Sequence, residues 1–379
     1  MKKETRSRPS IDAHFAELPD PRIDRTRKHG LHDILVITIC GVIGGADDWV
    51  SIERFAKAKR DWFETFLDLP HGIPSHDTFG RVFAALNPDA LTKCFSTWIA
   101  SLAKVTHGEV VAIDGKTIRR SFDTASSKAA IHMVSAWASQ QRLVLGQVKT
   151  NEKSNEITAI PKLLELLELE GCIVTIDAMG CQTKIAAAIV DKGADYVFGL
   201  KGNQETLHDE VKTFFDWALK EKFKDIPHDF FETVDGEHGR IETRRYWCTS
   251  QVAWFADAQK WKGLRSFGLV ESERTAGEKT SVERRVFIGS LPGDNAKLWA
   301  HAVRTHWTVE NGLHWVLDMA FREDESRVRK DNSPQNLAII RHIALNLLKQ
   351  EATAKVGMKN KRLIAGWDES YLLRVLGVI

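Results

Sequence analysis

The sequence predicts an α/β fold in which an all-helical stretch precedes a sheet-forming core, and three observations predict it. Residues 31–103 carry apolar residues at helical spacing. From residue 110 onward, short β-branched runs alternate with amphipathic helices. Two of those runs, Val110–Ile113 and Cys172–Ile176, stop at an aspartate, Asp114 and Asp177. Four apolar residues closed by Asp114-Gly115 read as a buried central strand whose last residue sits at the rim of the sheet. If the two strands are neighbours, two carboxylates lie side by side. Like charges that close are costly unless a cation separates them, so the pair calls for a hard, oxygen-loving metal such as magnesium.

With 379 residues the chain can bury a sizeable core and hold two or three domains, or one with a large insertion. A net charge of +2, from 53 Lys and Arg against 51 Asp and Glu, neither requires nor excludes a nucleic-acid partner. The 5 cysteines are odd in number and lack a CxxC pair, which predicts reduced cytoplasmic thiols and no zinc site. Ile34–Ile43 is too short to span a bilayer, and the polar start offers no signal peptide, so no membrane partner is expected.

The first 30 residues are polar, with a basic run at Arg22, Arg25, Arg27 and Lys28 that suits a phosphate-tracking arm. Leu31–Gly45 reads as a buried helix, and Ser51 as the cap of an amphipathic one. The glycine- and proline-marked turn before Ser75 then leads into a capped helix. Phe79, Val82 and Phe83 lie on its inner face, and His76, Asp77 and Arg81 point outward, the pattern of the second helix of a helix-turn-helix. A generic bundle turn would carry the same residues.

Ile131–Trp137 and Leu143–Val148 read as strands joined by a polar turn, extending the first strand into an antiparallel meander. A helix over Asn155–Glu170, the strand to Asp177, a helix over Gln182–Lys192 and a strand over Tyr196–Leu200 follow. Three antiparallel strands, helix, strand, helix, strand is the order of a ribonuclease H-like core, in which the first and fourth strands are adjacent and parallel. After a helix over Leu207–Leu219, Phe230–Cys248 and Ser266–Ile288 read as two hairpins. They form a β-rich insertion, about 205–295, dense in arginines that would make either a wet strand face or a phosphate track.

Beyond the insertion, Val303, Trp307, Glu310, His314 and Leu317 recur at helical spacing, which predicts Glu310 on the inward face. A carboxylate there needs a partner, and a metal shared with Asp114 and Asp177 would supply one; an ion pair with Arg304 or His314 is the plainer alternative. His306 and His314 read as hydrogen-bonded packing residues.

The segments Ala112–Lys116, His132–Trp137, Lys153–Ile157, Thr175–Gln182, Lys201–Gln204 and His306–Asn311 together resemble the bacterial insertion-sequence transposases of the DDE type, in the branch containing the H-repeat-associated proteins. The similarity extends over essentially the whole chain, including Phe15–Arg22. It implies Asp114, Asp177 and Glu310 as the catalytic and metal-binding triad, with two magnesium ions that manganese can replace. The wider superfamily carries Tyr, Arg and Lys where this chain has Val303, His306 and Leu317, so the roles of those side chains are not carried over.

The resemblance also implies an enzyme that cuts DNA at the terminal inverted repeats of an element and joins them to target DNA. Lys116, Arg119, Arg120, Lys201, Asn203 and Gln204 are candidate DNA contacts beside the triad, and His76 and Arg81 in the helical region. The expected division is a helical DNA-end domain over 1–105, a catalytic domain over 106–350 and a basic helical tail over 351–379. A homodimer or larger assembly on paired ends is expected, with Trp254, Trp261 and the helix Glu369–Leu376 as contact surfaces, in the cytoplasm near the nucleoid. The rivals are a nuclease that never joins and a catalytically inactive DNA-binding relative.

Overall fold

The computed structural model describes residues 11–103, 107–123, 128–150, 156–237 and 240–378. Among the described residues, six α-helices precede the first strand: α1 (Ile11–Phe15), α2 (Leu31–Ile43), α3 (Trp49–Ala58), α4 (Arg60–Phe63), α5 (His76–Ala85) and α6 (Pro88–Leu102). α2 has no polar stripe and is accordingly buried along nearly its whole length. The cap of α3 is Asp48 and not Ser51: the aspartate accepts the Ser51 N–H at 2.7 Å, so the helix starts three residues earlier than predicted. Ser75 caps α5, burying Phe79, Val82 and Phe83 and leaving His76, Asp77 and Arg81 exposed, as their spacing predicts.

The core follows as β1 (Val110–Thr117), β2 (His132–Ala138), β3 (Leu143–Lys149), α7 (Glu156–Glu165), β4 (Ile173–Ile176), α8 (Thr183–Asp191) and β5 (Asp195–Gly199). After α9 (Glu205–Lys220) come β6 (Asp229–Glu237), β7 (Arg240–Thr249), β8 (Ser266–Ala276) and β9 (Lys279–Gly289). α10 (Ala296–His306), α11 (Trp315–Phe321), α12 (Ser333–Gln350), α13 (Met358–Trp367) and α14 (Glu369–Leu376) complete the chain. The predicted turn at His238-Gly239 and the predicted helix start at Asn155 lie outside the described residues.

The strands form one sheet in the order β3-β2-β1-β4-β5-β9-β8-β7-β6. β1 lies antiparallel to β2 and parallel to β4, with Ile113 opposite Ile176. The two predicted hairpins form, yet they are not a separate module: β9 pairs with β5, so they lengthen the same sheet. Their arginines are largely engaged on that sheet. Arg245 meets Glu232, Glu271 and Glu273, Arg284 meets Glu271, and Arg244 meets Asp235. For Arg244, Arg245 and Arg284 this cross-strand pairing favours the wet-face reading, because a carboxylate already answers each charge.

α12 is buried on nearly all sides and ties the helical start to the sheet. Asn336 donates to the carbonyls of Phe83 and Leu86 at 2.8 and 2.9 Å. Asn346, fully buried, closes both backbone groups of Val144: it accepts the N–H and donates to the C=O, each at 2.9 Å. Val144 lies where the β2–β3 register shifts, so the side chain replaces strand pairing at an irregular point of the sheet edge.

The predicted basic tail is also corrected. Lys361 and Arg362 are buried; Arg362 donates to the Val42 carbonyl at 2.8 Å and pairs with Asp47 at 2.8 Å, and Lys361 donates to the Leu348 carbonyl at 2.9 Å. α13 and α14 are therefore part of the core, with Tyr371, Leu372 and Val375 inside. Trp261 is likewise buried, and only Trp254 of the two predicted surface tryptophans is substantially exposed.

Replacing Asn346 by Ala leaves the N–H and C=O of Val144 buried without partners, and each orphaned group costs about 1–3 kcal/mol. Urea denaturation of Asn346→Ala should therefore show a loss of at least about 2 kcal/mol. A loss below roughly 0.5 kcal/mol would mean that water or a neighbour satisfies Val144 at no cost.

Candidate active site

The site is set by strand register. Because Ile113 stands opposite Ile176 in a parallel pair, the next residues, Asp114 and Asp177, leave the two strands side by side. β4 ends at Ile176, and Asp177 opens a tight turn by accepting the Met179 N–H at 3.0 Å. β1, however, does not stop at Asp114-Gly115. It runs on to Thr117 because its pairing with β2 continues, Asp114 opposite Ser135 and Thr117 opposite His132. The rim is thus formed by the shorter strand, and Asp114 projects beside the gap.

Asp114 is largely buried, its carboxylate accepting the Gly115 N–H at 2.9 Å with His314 Nδ1 at 3.5 Å. Burial is the main reason its pKa is pushed up to about 7, and the charges of Glu156, Asp177 and Glu310 add to that rise. Burial and then Glu156 also raise Asp177, against the lowering effects of its backbone bonds and of Lys201. His314, pushed down to about 4 chiefly by burial, is neutral at physiological pH and adds no positive charge to balance them. His306 is neutral for the same reason and hydrogen-bonds Thr175 Oγ1 at 3.0 Å, the packing role its position predicts.

Glu310 departs from its expected surroundings. The helical spacing predicts an inward face, but the residue is exposed, because the helix is interrupted after α10 and resumes through a π-helical turn, Glu310–His314, before α11. The wider turn rotates the following residues relative to an unbroken α-helix and still brings the Glu310 charge within reach of Asp114. Gly312 within that turn passes tightly over β2: a Cβ there would lie 2.8 Å from Trp137. The alternative ion pair is absent among the described residues, since Arg304 approaches Asp235 at 3.6 Å.

The donor chemistry, carboxylate oxygens crowded by like-charged neighbours, fits a hard divalent cation. Among the described residues no three His, Cys, Asp or Glu side chains are drawn together as a closed metal-binding group.

The candidate DNA contacts separate into two sets. Lys116 is not free to meet phosphate: its ammonium is buried and bonded to Asp318 at 2.8 Å, Asp324 at 3.1 Å and Glu323 at 3.2 Å. Asn203 donates to the Ala178 carbonyl at 2.6 Å and Gln204 to the Cys181 carbonyl at 3.0 Å, so both brace the turn after Asp177. Arg119, Arg120 and Lys201 are exposed beside the site. His76 and Arg81 line a separate cleft of about 790 Å³ between the helical region and the segment carrying Arg327 and Lys330. Glu156, quoted in the sequence only as part of a motif, was missed as a site residue. Nothing in its spacing shows that α7 delivers it to the end of β1.

Adjacent parallel strands whose register brings Asp114 and Asp177 together, with the Glu310 charge acting on Asp114, make this an acidic site. The comparisons with known proteins make this specific. Residues 106–347 match the family model described as Transposase DDE domain, and residues 13–99 match the one described as DDE_Tnp_1-associated. YncI of Escherichia coli O157:H7, provisionally named a transposase, is 43% identical over 97% of this chain and 94% of its own length. The H repeat-associated protein YhhI of Escherichia coli K12, named in the same provisional way, is 40% identical over 96% of each chain. A piggyBac transposase synaptic complex with hairpin DNA aligns at 12% identity and a TM-score of 0.45, covering 97% of this chain and 76% of that one, too distant to carry a residue's role. The chain belongs to the DDE transposase family, in the branch of the H-repeat-associated proteins. No helix of the described residues is long and apolar enough to cross a membrane.

Breaking the Lys116 network tests its role. Lys116→Met leaves buried Glu323 without one of its two cations, and removing one partner of a buried pair costs about 3–5 kcal/mol. Thermal or urea unfolding should show a loss of that order. An unchanged stability together with weakened DNA binding would restore the phosphate-contact reading.

Proposed function

We propose that the chain is a transposase that cuts DNA at the terminal inverted repeats of its element and joins the freed 3′-hydroxyl ends to target DNA, using magnesium or manganese. The observation that carries this reading is the Ile113–Ile176 register, which sets Asp114 and Asp177 side by side with the Glu310 charge close by. We read β1 to β5 with their helices as a ribonuclease H-like core, residues 106–350 as the catalytic domain, 1–105 as the region that recognises DNA ends, and 351–379 as a helical closure. The working protein is placed in the cytoplasm, on the nucleoid.

Two divalent cations held by Asp114, Asp177 and Glu310 would supply Lewis acidity and an activated water or 3′-hydroxyl for attack on phosphorus. The protein's own part is to fix the three carboxylates. Asp177 is held by its turn, which Asn203 and Gln204 brace, and Asp114 by two strand ladders. Arg120 and Lys201 are available for flanking phosphates, as sequence-independent contacts, while Arg119 already meets Asp324 at 3.2 Å.

Asp114→Asn, Asp177→Asn and Glu310→Gln should each lower terminal-repeat cleavage and joining by about a thousandfold, roughly 4 kcal/mol of transition-state stabilisation, while end binding persists. Near-normal nicking by all three in magnesium would sink the assignment. A wild-type chain that nicks but yields no products joined through a 3′-hydroxyl is a nuclease, not a transposase.

For end recognition, the exposed face of α5 is the candidate reader. In the full chain, His76→Ala combined with Arg81→Ala should weaken binding to terminal-repeat DNA by about tenfold or more, while scrambled DNA is bound as before. Equal losses on both DNAs would reduce these residues to phosphate contacts.

Excision of one element needs two cuts, and this chain carries one triad, so the active form is a dimer or larger on paired ends. Exposed Trp315 and Met319 of α11 and Trp367 of α13 offer an apolar surface for it, better supported than Trp261. Light scattering on the protein bound to terminal-repeat DNA should give at least two chains per pair of ends. One chain completing joining of both ends would rule this out.

A further inference from the structure

Two of the motifs quoted from the sequence have no part in the triad, and they meet each other against β1. His132 opens β2 and Glu156 opens α7. The His132 Nε2 lies 2.8 Å from Glu156 Oε1, and its Nδ1 lies 2.8 Å from Thr117 Oγ1. A carboxylate only accepts, so Nε2 carries the proton, and the Thr117 hydroxyl, directly across the β1–β2 ladder, donates to Nδ1. Both ring nitrogens are used, which fixes the orientation of the ring and of the carboxylate it holds.

The carboxylate is held in a particular place. Gly115 follows Asp114 and faces the other side of the sheet, and a Cβ on it would lie 2.1 Å from Glu156 Oε1 and 2.3 Å from His132 Nε2. Any side chain at 115 would evict the pair. β4 has already ended at Ile176 while β1 continues, so the sheet is open at this end next to Gly115. Its charge reaches them: among the carboxylates acting on Asp114 and on Asp177, that of Glu156 is the strongest.

A purely structural hydrogen bond with His132 has no need of this position, where it sets a third negative charge against two buried acids at an electrostatic cost. A cation shared by the group removes the cost. We infer that Glu156, oriented by His132 and Thr117, is a fourth carboxylate of the centre formed by Asp114, Asp177 and Glu310, and that its remaining oxygen, Oε2, binds a divalent cation there. His132 and Thr117 are positioning residues, in the manner of groups that aim a metal ligand through its second atom. The inference rests on the reading of that centre as a divalent-metal site.

The test is manganese binding by the full-length chain without DNA, followed by paramagnetic resonance of free Mn²⁺, alongside melting temperatures with and without the ion. Glu156→Gln should weaken Mn²⁺ binding by about 10–100-fold. Its melting temperature without metal should equal or exceed that of the wild type, since a repulsive charge is gone, and most of the Mn²⁺-induced rise in melting temperature should vanish. Glu156→Asp, which keeps the charge on a shorter arm, should fall between, and His132→Ala should lose less affinity than Glu156→Gln. Wild-type Mn²⁺ affinity in Glu156→Gln, with affinity lost in Asp114→Asn, would overturn the inference and leave the proposed function standing. A metal-free melting temperature lowered in Glu156→Gln with Mn²⁺ affinity intact would assign Glu156 to structure alone. Absence of Mn²⁺ binding by the wild type would remove both readings together.

Discussion

The parallel pairing of β1 with β4 is the interaction on which the rest of the molecule depends. Four register pairs, Val110 with Ile173 through Ile113 with Ile176, decide that Asp114 and Asp177 emerge together and not a residue apart. A slip of one residue would send one carboxylate to the opposite face. The register is held because every side chain in both four-residue runs is buried, so a slip would misplace apolar residues against α7 and α8 on one side and α10 on the other. What makes the pairing unusual is its outcome: the apolar fit of the two strands is complete just where it forces two acids together.

Around that point the protein sets charges so that none stands alone without cause. Lys116, two residues past Asp114 on the same face, is ringed by Asp318, Glu323 and Asp324, and buried Arg341 approaches Glu323 from α12 at 3.5 Å. Arg119 meets Asp324 from the surface. Buried networks of this kind contribute little net stability, because desolvation offsets the Coulomb gain, but they penalise any other arrangement. Here the penalty fixes the 322–325 turn, where Arg322 takes a left-handed backbone, to the end of β1. The acids of the candidate centre stand apart from this network. The basic group facing Asp114 is His314 at 3.5 Å, which burial keeps neutral.

Much of this was legible in the sequence, for physical reasons that can be named. Period-2 and continuous apolar runs located the strands, and caps and glycines located most helix ends. The order of elements put the first strand beside the fourth. What the sequence hid depends on partners far along the chain. Asp114-Gly115 looks like a strand end because Asp-Gly usually marks a turn, yet β1 continues since β2 supplies the ladder and Gly115 makes way for a carboxylate 41 positions later in α7. Lys116 and Arg362 look like solvent charges, and become core residues because Glu323 and the Val42 carbonyl wait for them. The insertion looked separable because hairpin signals are local, while the β5–β9 pairing that fuses it to the core is not.

The case of Glu310 shows how helical spacing can mislead about a residue's surroundings. The spacing Val303, Trp307, Glu310, His314, Leu317 assumes an unbroken period of 3.6, and on that assumption Glu310 faces inward. The real helix breaks after His306 and widens over Glu310–His314, so that Leu313 and Leu317 keep the core contacts while Glu310 turns out to the rim. An inward carboxylate would have been satisfied by protein groups and closed to any substrate. The extra residue in the turn is what lets the helix stay anchored by its leucines while Glu310 is exposed and its charge still acts on Asp114. π-helical turns are rare in general and costly in hydrogen bonding, and one placed at this residue is accounted for by that dual demand.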